Sequence, residues 1–188
     1  AVLEGDNYVS SLAGAGDLEI REKGASFVIQ SRAVGSIFEG QVSGKGNLIL
    51  SGSAARLELL SENKLKGNVV VKQASDNKTE PKRIILKENG TLGYANMRLE
   101  GDKTELVFDR NNSFEFANIV SGKGSILHRG GGTTTLSGTN TYEGSTTVED
   151  GVLAIAKAGG IPQKSATFVK GTGQLDLYTS SSRGLIPK

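Results

Sequence analysis

The stretch TLSGTNTYEGSTTVEDGVL, residues 135–153, decides the fold of this chain. Two short runs of β-type residues, 133–136 and 145–148, flank a turn rich in Ser, Gly and Asn. A second turn at 149–151 leads to a third run, 152–155. Thr and Val favour a pleated, half-buried surface, whereas Gly, Asn and Asp accept the positive φ of tight turns. One short strand and one tight corner every ~8–12 residues predict an all-β chain.

This stretch resembles the passenger-associated transport repeat of bacterial autotransporters, the type V secreted proteins of Gram-negative bacteria. The family pattern, roughly T-L-S-G-x-N-T-Y-x-G-x-T-T-V-x-x-G-x-L, is met at every fixed position. The upstream pattern, G-x-G-x-L-x-K-x-G-x-G-T-L-x-L, is met more loosely by residues 122–136. There Ile126 replaces a Leu, His128 stands where Lys is common, and Thr134 stands where Leu is common. The close resemblance covers about residues 122–155, and a weaker echo extends across most of the chain.

The composition indicates a narrow core with many corners. Glycine accounts for 26 of 188 residues, about twice its ordinary share of ~7%. The hydrophobic content is 36%, which indicates a narrow core built from single Leu, Ile and Val side chains. The net charge of +2 comes from well-mixed acidic and basic residues, so it gives no reason to expect a nucleic-acid partner. The chain has no cysteine, so the fold holds without disulfides.

The sequence also repeats itself on a longer scale. Residues 11–20 are echoed at 41–50 and again at 119–127, and residues 63–71 match 140–148. These elements follow the same order in both halves of the chain. We therefore interpret the whole of 1–188 as a single domain built from two approximate units, 11–94 and 95–178.

Apolar residues alternate along the short runs. These pairs each share one face of a predicted strand: Leu18 and Ile20, Leu48 and Leu50, Leu57 and Leu59, Val69 and Val71, Leu106 and Phe108, Phe114 and Phe116, Leu175 and Leu177. Period-two alternation means one buried and one wet face, and each run is too short to bury its pair alone. No segment shows sustained helical spacing, so we predict essentially no helix.

Two architectures suit such a chain, a β-sandwich or barrel and a right-handed parallel β-helix. Regular strand spacing alone favours the sandwich, whereas repeats of identical order favour the β-helix, because each coil must resemble its neighbour. The resemblance implies the β-helix, since autotransporter passengers are typically β-helical stalks. About 20 residues per coil would give about nine coils and a rod ~40–45 Å long.

Two polar segments interrupt the pattern. Residues 72–82 have almost no apolar side chains, which predicts a solvated loop that projects from the rod and is a weaker candidate for binding. Residues 98–105 have Leu99 as their single apolar residue, which predicts a wet turn.

The sequence offers little for catalysis. The single histidine, His128, is predicted to be an outward corner residue, and no Ser-His-Asp device or phosphate loop is apparent. Some parallel β-helices are polysaccharide lyases that hold Ca²⁺ with grouped carboxylates. The best candidates for such a group are Asp102, Glu105 and Asp109, with Arg110 beside them, but Asp109 and Arg110 are predicted to be solvated corner charges. We therefore predict no catalytic, cofactor or metal site.

The resemblance implies a function in secretion. The chain would be a β-helical stem segment of a secreted or surface-displayed passenger, which supports secretion-coupled folding and presents a virulence effector. Its partner would be the outer-membrane translocator barrel of the parent protein. The export signal, the barrel and any protease activity are expected outside these residues. The alternative is an adhesin or toxin-like recognition module that binds a host cell-surface receptor or glycan.

Overall fold

The computed structural model describes residues 1–30, 35–53, 55–73, 80–156, 158–179 and 182–184. The first twelve strands are β1 Val2–Leu3, β2 Asn7–Val9, β3 Leu18–Ile20, β4 Ser26–Gln30, β5 Ser36–Phe38, β6 Val42–Gly44, β7 Asn47–Ser51, β8 Arg56–Leu59, β9 Lys64–Leu65, β10 Asn68–Val71, β11 Lys82–Lys87 and β12 Asn96–Leu99. The remaining strands are β13 Thr104–Asp109, β14 Phe114–Phe116, β15 Val120–Gly122, β16 Ser125–His128, β17 Thr133–Leu136, β18 Thr141–Tyr142, β19 Thr146–Val148, β20 Val152–Ile155, β21 Thr167–Val169, β22 Gln174–Thr179 and β23 Ser182–Gly184. No helix occurs among these described residues.

The strands stack into four ladders that run along one rod. Sheet A has the order β1-β3-β6-β9, sheet B β18-β15-β12-β10-β7-β4-β2, sheet C β21-β19-β16-β13-β11-β8-β5, and sheet D β14-β17-β20-β22-β23. Apart from β23, each strand pairs in parallel with a strand of a neighbouring coil, and this gives a β-solenoid of about eight turns, one fewer than the predicted nine. The prediction of a parallel β-helix is confirmed, and the sandwich is excluded. The right-handed sense of the winding stays a prediction.

One pairing departs from the parallel rule. At the C-terminal end, β22 and β23 pair antiparallel, with Leu177 opposite Gly184. This hairpin lies beyond the last parallel pair of sheet D, between β20 and β22. It therefore leaves the stacking of the preceding coils unchanged.

The strand register gives the length of each coil. Leu48 lies opposite Val69, an offset of 21 residues, and Glu105 lies opposite Ser125, an offset of 20. Asn68 lies opposite Asn96, an offset of 28. The extra residues of the longer coil lie between strand β10, which ends at Val71, and strand β11, which begins at Lys82.

The predicted loop 72–82 is confirmed only in part. Lys72, Gln73 and Glu80 are exposed, and residues 74–79 lie outside the described residues. Lys82 contradicts the prediction, because it begins strand β11 with only 3% of its surface exposed. Its Nζ donates to the carbonyl oxygen of Lys72 at 2.7 Å, so the amine is satisfied at the foot of the segment.

The core is a narrow stack of inward side chains, as the alternation predicts. In sheet B, Phe27, Leu48, Val69, Met97 and Val120 occupy successive coils in register, and all five are buried. Full burial of such a side chain contributes about 1.5–3 kcal/mol. Each coil therefore depends on its neighbours to keep its few apolar side chains from water.

The prediction of a wet turn over 98–105 is confirmed only in part: Arg98, Asp102 and Lys103 are exposed, but the turn is anchored in the core. Leu99 is fully buried and stacks on Val71, and Gly101 and Thr104 are also buried. The Thr104 hydroxyl donates to the carbonyl oxygen of Gly101 at 2.6 Å, which closes a compact turn between β12 and β13. A single apolar residue anchors this corner because the neighbouring coils supply the rest of its core.

A search of the described residues finds no helix with the length and hydropathy needed to cross a membrane.

Candidate functional site

The glycines of the matched repeat lie where sheet C turns into sheet D, and they bring two coils into direct contact. A Cβ at Gly130 would lie 2.1 Å from the Arg110 backbone nitrogen, and one at Gly132 would lie 2.3 Å from the Asn112 carbonyl oxygen. A Cβ at Gly151 would lie 2.3 Å from the Gly130 carbonyl oxygen, and this residue also has φ +63°. Only glycine therefore fits these corners at the spacing of a β-ladder.

Arg110 lies beneath this glycine corner and corrects one prediction. It is only 4% exposed, whereas the sequence predicted a solvated charge. Its Nη1 donates to the Gly90 carbonyl oxygen at 2.5 Å, its Nε donates to Asn112 Oδ1 at 2.9 Å, and the guanidinium lies 3.9 Å from the Phe114 ring centroid. Burial lowers the pKa of Arg110, and Glu88 opposes that effect. These contacts take the place of water around the guanidinium group. The buried charge of Arg110 therefore links the corners of neighbouring coils.

His128 also contradicts the prediction, which placed it outward at a corner. It is fully buried in strand β16, and its Nε2 lies 2.8 Å from the carbonyl oxygen of Val152 on the next coil. Its Nδ1 lies 3.4 Å from the carbonyl oxygen of Phe108 on the preceding coil. The alternation of apolar residues could have indicated that His128 is buried, because His128 shares a strand face with Ile126. The imidazole is thus a bridge between coils.

The three carboxylates considered for a Ca²⁺ site have different surroundings. Glu105 accepts a hydrogen bond from Arg83 Nε at 2.6 Å. Asp109 accepts from Arg129 Nη2 at 2.9 Å, and Asp102 is exposed. Within the described residues, no three His, Asp or Glu side chains group in a way that could hold a metal ion.

A buried asparagine joins three consecutive coils in the second corner of the repeat. Asn140 Oδ1 accepts from the Val120 backbone nitrogen at 2.7 Å, on the preceding coil. Its Nδ2 donates to the Gly160 carbonyl oxygen at 2.7 Å, on the following coil. An amide side chain suits this position because it carries both a donor and an acceptor.

Asn63, the residue that the sequence echo matches to Asn140, makes the same contacts. Its Oδ1 accepts from the Val42 backbone nitrogen at 2.6 Å, and its Nδ2 donates to the Thr91 carbonyl oxygen at 2.7 Å. Both asparagines are buried. The two corners therefore use one device for stacking.

The tyrosine of the repeat brings a hydroxyl chain into the core. Tyr142 is buried, and its hydroxyl hydrogen-bonds that of Thr146. Thr146 Oγ1 lies 3.2 Å from Ser165 Oγ on the next coil, and Ser165 donates to the Gly144 carbonyl oxygen at 2.7 Å. In the earlier echo, the matching positions are the buried apolar pair Leu65 and Val69. The second copy thus has polar side chains where the first copy has apolar ones. The chain of hydroxyl groups gives these polar atoms their hydrogen-bond partners.

Tyr142 predicts a loss of stability at alkaline pH. Burial raises the pKa of Tyr142, while the hydroxyls of Thr146 and Ser165 oppose that rise. The unfolded chain releases this proton near the ordinary pKa of 10.0, but the folded chain retains it, so the stabilising contribution is complete below that pH and falls as the pH rises further. We expect the free energy of unfolding in urea to fall less steeply from pH 9 to 11 in Tyr142→Phe than in the parent chain.

The matched control is Tyr94→Phe, an exposed tyrosine that should leave the slope unchanged. Equal slopes in the parent and Tyr142→Phe would contradict the prediction.

Comparison with known proteins agrees with this geometry. Residues 129–155 match the family model of the passenger-associated-transport-repeat. The adhesin BmaC autotransporter of Brucella suis biovar 1 (strain 1330) is 28% identical over 196 residues, which cover 90% of this chain and 6% of that protein. No solved structure matches.

The repeat match and the adhesin relative together support an autotransporter passenger domain. Passengers of this family are secreted or displayed at the surface of Gram-negative bacteria. The chain spans only a small fraction of the length of its curated relative.

Proposed function

We propose that this chain is a β-helical stem segment that supports secretion-coupled folding of its parent passenger. The observation that carries the proposal is the role of the fixed residues of the repeat. Gly132, Asn140, Thr146 and Gly151 all lie at contacts between coils, and Tyr142 hydrogen-bonds Thr146. The pattern of the repeat is thus a pattern for stacking one coil on another.

Stacking of this kind suits folding that proceeds coil by coil. A folded coil exposes the unpaired N–H and C=O groups of its edge strands, and these groups template the next coil as it emerges. Each added coil buries apolar side chains and completes hydrogen bonds, so its folding free energy opposes backsliding. The translocator barrel of the parent protein is the partner that this scheme requires, and an effector presented at the end of the stem would complete it.

The stem role requires no catalysis in these residues. His128 and Arg110 have their polar atoms engaged by carbonyl groups of neighbouring coils and by Asn112. We therefore propose that the segment is not an enzyme, and that any protease activity of the parent lies outside it.

Deletion of a coil tests the stem role. Removing residues 133–153 from the full-length parent should block secretion or leave a surface passenger that added protease degrades, because the deletion removes Gly151 and Asn140 together. The matched control removes residues 27–47, which are also 21 residues and one coil by the offset between Phe27 and Leu48, and which leave Asn63 and Asn140 in place. Export and protease resistance should suffer less in the control. Normal export of a protease-resistant 133–153 deletion product would contradict the stem role.

A second candidate function is recognition of a host surface. It is favoured by the relative, which is an adhesin by its name. The segment 72–82 and the long strand faces of the rod are the surfaces available for it. The stem and recognition roles are compatible, since a rod that supports an effector also offers its sides to solvent.

A further inference from the structure

Three lysines form a cluster on the corner that follows the strands of sheet A. Gly44 lies opposite Leu65, so Lys45 and Lys66 directly follow a paired position on adjacent coils. The Lys66 backbone nitrogen donates to the Gly44 carbonyl oxygen at 2.8 Å, which fixes this register. Lys64 lies two residues before Lys66, on the same side of the chain. The lysine cluster, Lys45, Lys64 and Lys66, is exposed throughout.

The acidic residue nearest to the lysine cluster in sequence is the exposed Glu62, two residues before Lys64, and it forms no salt bridge with the cluster in the described part of the chain. None of its three amines takes part in a salt bridge there. The nearest arginine of the same column, Arg21, already pairs with Glu19 at 3.4 Å. Like charges on directly neighbouring strands are destabilising, by a few tenths to about 1 kcal/mol. The cluster therefore retains an unfavourable arrangement.

Two other charged columns of the rod alternate in sign. On sheet C, Glu58 pairs with Lys87, Lys87 lies 3.8 Å from Asp109, and Asp109 pairs with Arg129. After the strands of sheet B, the backbone register places four charges of alternating sign on successive coils: Lys72, Glu100, Lys123 and Glu143. In sheet C, Arg56 and Arg83 also lie opposite each other, but each pairs with a carboxylate, Glu58 and Glu105 respectively, whereas no salt bridge joins the lysine cluster to one in the described part of the chain.

An exposed aromatic ring extends the lysine cluster by one coil. The Tyr94 backbone nitrogen donates to the Leu65 carbonyl oxygen at 2.8 Å, which places Tyr94 next to Lys66 along the rod. Tyr94 is 77% exposed. An aromatic ring with an apolar face and a polar hydroxyl suits contact with a sugar ring.

We propose that the lysine cluster and Tyr94 bind an anionic polysaccharide, sulfated or rich in uronic acid, that lies along the rod axis. Adjacent coils are ~4.8 Å apart, so the amines form a line that a linear polyanion can follow. A glycan fits better than a membrane, because the corner is a narrow ridge with a single exposed aromatic ring. This inference deepens the recognition role proposed above and rests on it, but it is independent of the stem role.

Binding to a heparin hexasaccharide tests the proposal. We expect Lys45→Gln, Lys64→Gln and Lys66→Gln together to weaken binding at least 10-fold at physiological salt, since each lysine that neutralises an anionic group of a polyanion adds affinity through counterion release. The matched control is Lys72→Gln, Arg98→Gln and Lys123→Gln, which removes the same three charges from exposed positions and should weaken binding less than twofold. Tyr94→Ala should weaken binding severalfold without altering the thermal unfolding of the chain. The lysine variant should unfold at an unchanged or higher temperature, because its like charges no longer repel.

Several results would overturn the proposal. Equal losses in the two triple variants would show a response to net charge alone. Binding of the desulfated hexasaccharide as tight as that of the sulfated one would remove the role of the anion. Tighter cluster-dependent binding to phosphatidylglycerol vesicles than to heparin would assign the surface to a membrane.

Host-cell binding separates this inference from the recognition role itself. If the parent chain binds cells, and heparinase treatment and the lysine variant both abolish that binding, the two proposals stand together. Cell binding that neither change affects would contradict the lysine site and leave recognition intact. Heparin binding without any cell binding would support the site and contradict the recognition role.

Discussion

Gly132→Ala and Gly151→Ala are each expected to lower the free energy of unfolding by about 3 kcal/mol or more, among the largest effects of any single substitution in this chain. A Cβ at residue 132 would lie 2.3 Å from the carbonyl oxygen of Asn112, and one at residue 151 would lie 2.3 Å from that of Gly130. Because both contacts are to backbone, the coils must separate to relieve them, and separation weakens several ladder hydrogen bonds together. Alanine at 151 also incurs about 1 kcal/mol for a positive φ. The measurement is denaturant unfolding followed by circular dichroism.

The chain supplies two matched controls for this prediction. Gly131 lies between Gly130 and Gly132 in sequence, but its Cβ would meet nothing closer than Asn111 Oδ1 at 3.4 Å, so Gly131→Ala should cost little. Gly5 has φ +72° and open space around it, so Gly5→Ala isolates the cost of backbone strain at about 1 kcal/mol. A loss for Gly131→Ala as large as that for Gly132→Ala would contradict the close-approach argument.

The sequence predicts most of the fold because each strand is short and alternates. The predicted runs 133–136 and 152–155 coincide with β17 and β20. In each of these runs, the two inward side chains can be recognised from their residue types and their spacing alone. The parallel stacking follows from repeats that keep the same order, and the family resemblance decides between the two architectures.

Prediction from the sequence fails where the hydrogen-bond partners of a polar side chain lie on a neighbouring coil. Arg110 and His128 read as solvated corner residues because their partners, carbonyl groups about 20 residues away, leave no local signal. Leu99 looks isolated for the same reason, since Val71 and Gly122 complete its surroundings from adjacent coils. The candidate site was therefore predictable as a family pattern, but its contacts between coils were not. The lysine cluster likewise appears only once the register is known, because Lys45 and Lys66 are 21 residues apart.

Asn140→Ala is expected to cost about 2–5 kcal/mol. It would leave the Val120 backbone nitrogen and the Gly160 carbonyl oxygen without their partner at a buried corner, and each unsatisfied group costs about 1–3 kcal/mol. The measurement is again denaturant unfolding, with limited proteolysis to locate the loosened coil near residues 120 and 160. Asn140→Asp should lie between the parent and the alanine variant, because it keeps the acceptor for Val120 and loses the donor for Gly160.

The control for Asn140 is Asn111→Ala, which removes an exposed amide that accepts from the Gly131 backbone nitrogen at 3.2 Å. Water can replace that contact, so its cost should stay below about 1 kcal/mol. Asn63→Ala extends the comparison to the other half of the chain, where the same contacts reach Val42 and Thr91. Similar costs at 63 and 140 would support the proposal that 11–94 and 95–178 are two copies of one unit, each stapled by its asparagine. A cost at Asn140 no larger than at Asn111 would instead mean that the ladder hydrogen bonds alone hold these corners together.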